Sequence, residues 1–156
     1  MFAGFIAFAL LVLLQALVVT DRERLVASCW ALARAVQAGD VEAFAEHVSE
    51  SFATEGLHRE ATVGKEGLTE WLEQVLHTYS VEEPNLRQFH IEVTGDRALV
   101  RFTATCRIIT PQEVVSRYPS VWELDFGWAE RRWQVTDIRL QPTRLFPYRR
   151  LADIPR

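Results

Sequence analysis

The apolar spacing of this chain changes period once, between Tyr79 and Phe89, and that change dictates the order of its elements. Before it, Leu68, Trp71, Leu72, Val75, Leu76 and Tyr79 recur at the three-to-four-residue spacing of one helix face. After it, Phe89, Ile91 and Val93 alternate with Gln88, His90 and Glu92. Ala98, Val100, Phe102, Ala104 and Cys106 then alternate with Arg101, Thr103, Thr105 and Arg107. A segment cannot satisfy both periods, so helices come first and strands follow. The third helix is expected to end at Glu82, Glu83 and Pro84.

The two earlier helices are read from their ends. Thr20-Asp-Arg-Glu23 has the spacing of a capping box. Leu25, Cys29, Leu32 and Val36 follow at helical spacing, and Gly39 suits a left-handed stop. Asp40 can cap a second, short helix carrying Val41, Phe44, Ala45 and Val48. A polar stretch covers Ser49 to Val63.

A two-residue turn at Gly95-Asp96 would pair Val93 with Ala98, Ile91 with Val100 and Phe89 with Phe102. Thr110 to Ser120, with Pro111 and Pro119, reads as a loop. Trp122, Leu124, Phe126 and Trp128 alternate with Glu123 and Asp125, and a turn at Glu130-Arg131 sets Trp133 and Val135 opposite Trp128 and Phe126. The expected fold class is α+β: three helices packed on one face of a curved four-stranded antiparallel sheet.

Phe2 to Val19 stands apart. It has 18 residues with Gln15 as its one strongly polar side chain. As a helix it would be about 27 Å long, close to the roughly 30 Å of a bilayer core. No basic stretch precedes it and no clear cleavage site follows, unlike a secretory signal. The expectation is a single-pass membrane anchor over 2–19, with the bilayer as partner. Arg22 and Arg24 favour a cytoplasmic position for the domain over 20–141. Residues 142–156 form a basic tail.

The arrangement resembles the nuclear-transport-factor-2-like superfamily, the cone-shaped fold of ketosteroid isomerase and polyketide-cyclase-like proteins. The resemblance rests on the order of a helix ending in Gly39-Asp40, the short helix VEAFAEHV, Ser51-Phe52 and a GKEGLxxWL helix from Gly64 to Leu72. The hairpin IEVTGDRALVRF, WELDF (Trp122 to Phe126) and RWQVTDI (Arg132 to Ile138) complete it, over roughly Thr20 to Gln141. It implies a pocket between helices and sheet. Members include isomerases, dehydratases, ligand-binding proteins and association domains, many dimerising through the outer sheet face.

Few classes of chemistry fit the residues. Two cysteines, Cys29 and Cys106, cannot form a disulfide scaffold, and both fall on core positions. A net charge of −4 gives no reason to bind nucleic acid. His47, His58, His77 and His90 have no metal-ligand spacing, so neither a metal nor a cofactor is expected. Trp71, Val75, Phe89, Phe102, Trp122, Leu124 and Arg139 are the candidate pocket lining.

Asp137 and Arg139 decide between two readings. An unbroken register pairs Leu124 with Asp137 and Trp122 with Arg139, turning both inward; Asp137 is then the candidate acid or base of an isomerase or dehydratase type. A β-bulge near Thr136 would instead turn Ile138 and Leu140 inward and Asp137 outward. The domain is then a non-catalytic ligand-binding or protein-interaction module. Arg87 shares the inward parity near its strand's start. The outer face would carry His90, Glu92, Arg101, Thr103, Thr105, Arg107, Glu123, Asp125, Gln134 and Thr136, as a solvated surface or a polar homodimer interface.

Overall fold

A computed structural model describes residues 20–55, 62–109, 114–115 and 119–141. The apolar run 2–19, the tail 142–156 and most of the loop 110–118 lie outside the described residues. Among the described residues no helix is long and apolar enough to cross a membrane.

Helix α1 (Asp21–Ala38) starts where its capping box predicts. Thr20 Oγ1 accepts from Glu23 N, and Glu23 Oε2 accepts from Thr20 N at 2.7 Å. Gly39, at φ 70°, ends it in the left-handed conformation that a side chain would strain. Asp40 Oδ1 then accepts from Ala43 N at 2.9 Å and caps α2 (Val41–Ala45). The polar stretch contains one unanticipated pairing, β1 (Ala53–Thr54) with β2 (Val63–Gly64). Helix α3 (Lys65–Thr78) follows.

The third helix stops earlier than its periodicity suggested. Tyr79 is already extended, and β3 (Ser80–Thr94) runs straight through Glu82, Glu83 and Pro84. Strands β4 (Arg97–Ile109), β5 (Val114–Val115), β6 (Ser120–Ala129) and β7 (Arg132–Gln141) complete an antiparallel sheet. Its order is β3-β4-β6-β7, with β5 paired to the end of β4.

Both tight turns are where the sequence places them. Val93 pairs with Ala98 and Ile91 with Val100, while Trp128 pairs with Trp133 and Phe126 with Val135. Glu130 and Arg131 both have positive φ, 51° and 64°, as this kind of two-residue hairpin turn requires.

Three bulges alter the rest of the register. In β3, Glu83 and Pro84 together oppose Cys106, and Gln88 and Phe89 together oppose Phe102. Phe89 is therefore not the simple cross-strand partner of Phe102, although their rings still meet at 5.4 Å. Arg87 now pairs with Thr103 on the outer face, which corrects its inward parity. In β7, Thr136 is the extra residue between the pairs Phe126–Val135 and Asp125–Asp137.

The helices cover the inner face. Leu25, Cys29 and Leu32 of α1, Phe44 of α2 and Leu68 and Leu72 of α3 are buried with Val100, Phe102, Leu124, Phe126 and Val135. After α2 the chain is held to β7 by a short parallel bridge, with Ser49 N donating to Val135 O and Val135 N to His47 O. Cys29 is fully enclosed, and burial pushes its thiol up to about 12, so it remains protonated. Cys106 is only half-buried, because it faces the first β3 bulge instead of a regular partner.

Candidate functional site

The Thr136 bulge decides what each face of the sheet presents. Beyond it Leu124 pairs with Ile138 and Trp122 with Leu140, so the two aliphatic residues turn inward. Asp137 pairs with Asp125 and Arg139 with Glu123, both on the outer face. The inward placement of Asp137 and Arg139 is thereby corrected. Burying Ile138 and Leu140 is favourable, whereas an inward carboxylate would need a partner that the apolar core does not offer.

Of the seven candidate lining residues, Arg139 is the one on the outer face, while Phe102 and Leu124 are buried within the core. Trp71, Phe89 and Trp122 are half-buried and pack against that core, and Val75 of α3 is half-buried. Trp122 directs its indole N–H to Ser120 Oγ at 2.8 Å. Among the described residues Glu123 is the one buried charged side chain, and it belongs to the outer face. The inner face described here therefore brings together aromatic and aliphatic groups without a carboxylate.

The outer face holds the ionic chemistry. One cross-strand row reads His90, Arg101, Glu123, Arg139 from β3 to β7. Arg101 donates through Nε and Nη2 to Glu123 Oε2 at 3.0 and 2.5 Å. Arg139 Nη2 lies 3.2 Å from Glu123 Oε1 and donates to Asp125 Oδ2 at 2.5 Å. Its Nε lies 3.4 Å from Asp137 Oδ2, while Asp137 Oδ1 accepts from Ile138 N at 2.8 Å. Two guanidiniums thus hold three carboxylates, and Glu123 can be buried because both neighbours neutralise it.

The adjacent row reads Glu92, Leu99, Asp125, Asp137. A hollow of about 490 Å³ opens beside it, lined among others by Glu92, Arg97, Leu99, Asp125 and Gly127. Gly127 leaves room there for the Thr136 side chain: a Cβ at Gly127 would sit 3.2 Å from Thr136 Cγ2. Leu99 and Val121 place half-buried aliphatic surface among the charges. Among the described residues no group of three or more histidines, cysteines or carboxylates is arranged to hold a metal ion.

The family's sequence profile, that of the SnoaL-like domain, matches residues 31–131. The chain belongs to the SnoaL-like domain family. No curated protein matches this SnoaL-like domain. Among solved structures it resembles a protein of Novosphingobium aromaticivorans described as a candidate scytalone dehydratase. The TM-score is 0.69 at 10% identity, covering 86% of this chain and 95% of that one. A candidate dehydratase of the nuclear-transport-factor-2-like family from Streptomyces avermitilis superposes at TM-score 0.67 and 18% identity, covering 79% and 96%. A candidate calcium/calmodulin-dependent kinase II association domain from Exiguobacterium sibiricum gives 0.65 and 13%, covering 81% and 95%. These likenesses show that the SnoaL-like domain here has the cone-shaped fold, as its helix and strand order implied.

Asp125 provides a test of the outer-face electrostatics. Burial raises its carboxyl from the ordinary value; Arg139 and, less, Arg97 oppose the rise, while Asp137 and Glu123 add to it. The folded state therefore holds that proton more tightly than the unfolded chain. The resulting cost is absent below the unfolded value and fully present once pH exceeds the folded one. Asp125→Asn is expected to gain stability relative to the parent as pH rises from 3 to 7 (about the carboxylate range). Urea unfolding across that range checks it, and a constant or narrowing gap would contradict the assignment.

Proposed function

We propose that this chain is a non-catalytic association module that is tethered to a membrane by residues 2–19 and pairs with a second copy through its outer sheet face. The observation that carries the reading is the Thr136 bulge. It removes Asp137 from the helix-covered side and brings Arg139 to the outer face, where Arg101 and Arg139 pair with Glu123, and Arg139 with Asp125, within one chain. Charged residues are usually unfavourable at interface cores because they must be desolvated alone. Here the pairing precedes association, and Leu99 and Val121 supply aliphatic contact between the charged rows. The unbroken apolar run from Phe2 to Val19 supports the tether.

Sedimentation of the polypeptide from Thr20 onward tests the pairing, since it carries the buried core found among the described residues. A concentration-dependent dimer is expected. Leu99→Lys should leave the monomer folded, because Leu99 sits between Glu92 and Asp125 in its row and a lysine there is flanked by carboxylates. At the interface centre the same lysine is expected to weaken the dimer by about 2–3 kcal/mol, roughly 30- to 150-fold. A parent that stays monomeric, or a dimer indifferent to Leu99→Lys, would reject this face. For the tether, full-length protein should stay with membranes through an alkaline carbonate wash; release with its N-terminus intact would rule it out.

A further inference from the structure

One end of the domain combines features that a bilayer surface would recognise. The Gly95-Asp96 and Glu130-Arg131 turns lie together there, with Trp128 N donating to Asp96 O at 2.8 Å. The N-terminus of α1 joins them: Trp133 Nε1 donates to Asp21 Oδ1 at 3.2 Å, and the Arg24 guanidinium lies 5.9 Å from the Trp128 ring centroid. Trp128 packs edge-on against Trp133 at 5.3 Å, yet it remains 38% exposed, and nearby Val93 is 40% exposed. These are two of the three large hydrophobic side chains exposed among the described residues. The Trp128 indole N–H has no partner among the described residues. Neither do the exposed guanidiniums of Arg22 and Arg131.

We infer that this rim, centred on Trp128, is a second membrane contact that seats the domain on an anionic bilayer surface. The inference rests on the tether reading, because chain continuity is what brings the rim to the bilayer. The apolar run ends at Val19, two residues before Asp21. Two residues span at most about 7 Å, and the headgroup layer on each side is about 5–8 Å thick. A run ending at the bilayer core boundary therefore puts Asp21, and with it Trp133 and Trp128, at headgroup depth. An indole with an apolar body and an N–H that no described residue engages is suited to that layer, as are guanidiniums facing lipid phosphates. Arg24 stacks on Trp128 and pairs with Asp21 at 3.7 Å, which holds the ring toward the rim without consuming Arg22 or Arg131.

The experiment uses the full chain in phosphatidylcholine vesicles containing phosphatidylserine, with bromine atoms placed either near the headgroup or deep in the acyl chains. The signal of Trp128 is the fluorescence of the parent less that of Trp128→Phe. Bromine near the headgroup is expected to quench that signal at least twofold, and deep bromine much less. Arg22→Glu combined with Arg131→Glu, which breaks no described contact, is expected to reduce the shallow quenching of the parent at least twofold even if Trp128→Phe fails to fold. Chains that float with vesicles while the Trp128 signal ignores bromine would overturn this inference and leave the tether standing. A signal shielded from aqueous acrylamide but untouched by bromine would overturn it in favour of a second copy covering the rim. Chains that do not float at all would overturn the tether reading and this inference together.

Discussion

Replacing Phe126 by alanine is expected to remove about 3–5 kcal/mol of folding stability. Phe126 is 1% exposed and packs in the core beside Leu25, Val100, Leu124 and Val135. Its neighbours cannot easily collapse into the space. On one side it is followed by Gly127 and on the other it borders the Thr136 bulge, so the local backbone is already bent around it. The cost is therefore the transfer of the ring plus the cavity it leaves. A domain of this size has only about 5–15 kcal/mol in total, so the variant should lose a large part of it. Urea unfolding of the polypeptide from Thr20 onward measures the loss. A decrease below about 1 kcal/mol would mean that Phe126 is not the core residue its burial indicates.

The second large effect is expected at Arg139. Arg139→Met should cost about 1.5–3 kcal/mol, the scale of hydrogen bonds to charged groups. Its guanidinium is half-exposed, which argues for the lower part of that range, but it touches Glu123, Asp125 and Asp137 at once. Without it, one buried and two partly buried carboxylates face each other with Arg101 reaching only Glu123. The readout that separates charge from packing is salt. Added salt should restore part of the lost stability in the variant by screening carboxylate repulsion, and should slightly weaken the parent, where the net interaction is attractive. Equal salt responses would show that Arg139 acts through its aliphatic stem alone.

The contrast between Phe126 and Arg139 shows where the sequence was legible. Face assignment along β6 follows from strict alternation, so Leu124 and Phe126 read as core from their spacing. The capping box at Thr20 and the stop at Gly39 are local chemistry and read equally well. The bulges were harder, because each adds a single residue and inverts the parity of everything beyond it. Pro84 inside β3 is a signal that could have flagged the first, since proline is tolerated in strands mainly at edges and bulges. No comparable signal marks the second. It places Gln88 at φ 56°, a conformation usually advertised by glycine or asparagine. The third is legible because Ile138 and Leu140 compete with Asp137 and Arg139 for the inner face, and hydrophobicity decides in favour of the aliphatic pair.

Pairing of the outer charges lay beyond the sequence for a related reason. Arg101 and Glu123 are 22 positions apart, and Arg139 reaches Glu123 only after the bulge has moved it to that face. A list of charged residues shows their number and not their partners. The register converts a set of charged positions into one in which Glu123 can be buried.

The same bulges make the length of the sheet negotiable. In a regular strand, losing one residue turns every later side chain to the opposite face. Opposite a bulge the outcome differs. Removing Thr136 would bring Val135 and Asp137 into consecutive register with Phe126 and Asp125, and Ile138 would still meet Leu124. In β3 the outward residues run Glu82, then Asn85 and Arg87, then His90 and Glu92, so the two irregularities there shift the parity and restore it. Each bulge is thus a slack link at which descendants of this chain can shorten by a residue while their inner and outer surfaces keep the same membership. Deletions, ordinarily confined to loops, have three admissible addresses among the described strands of this sheet.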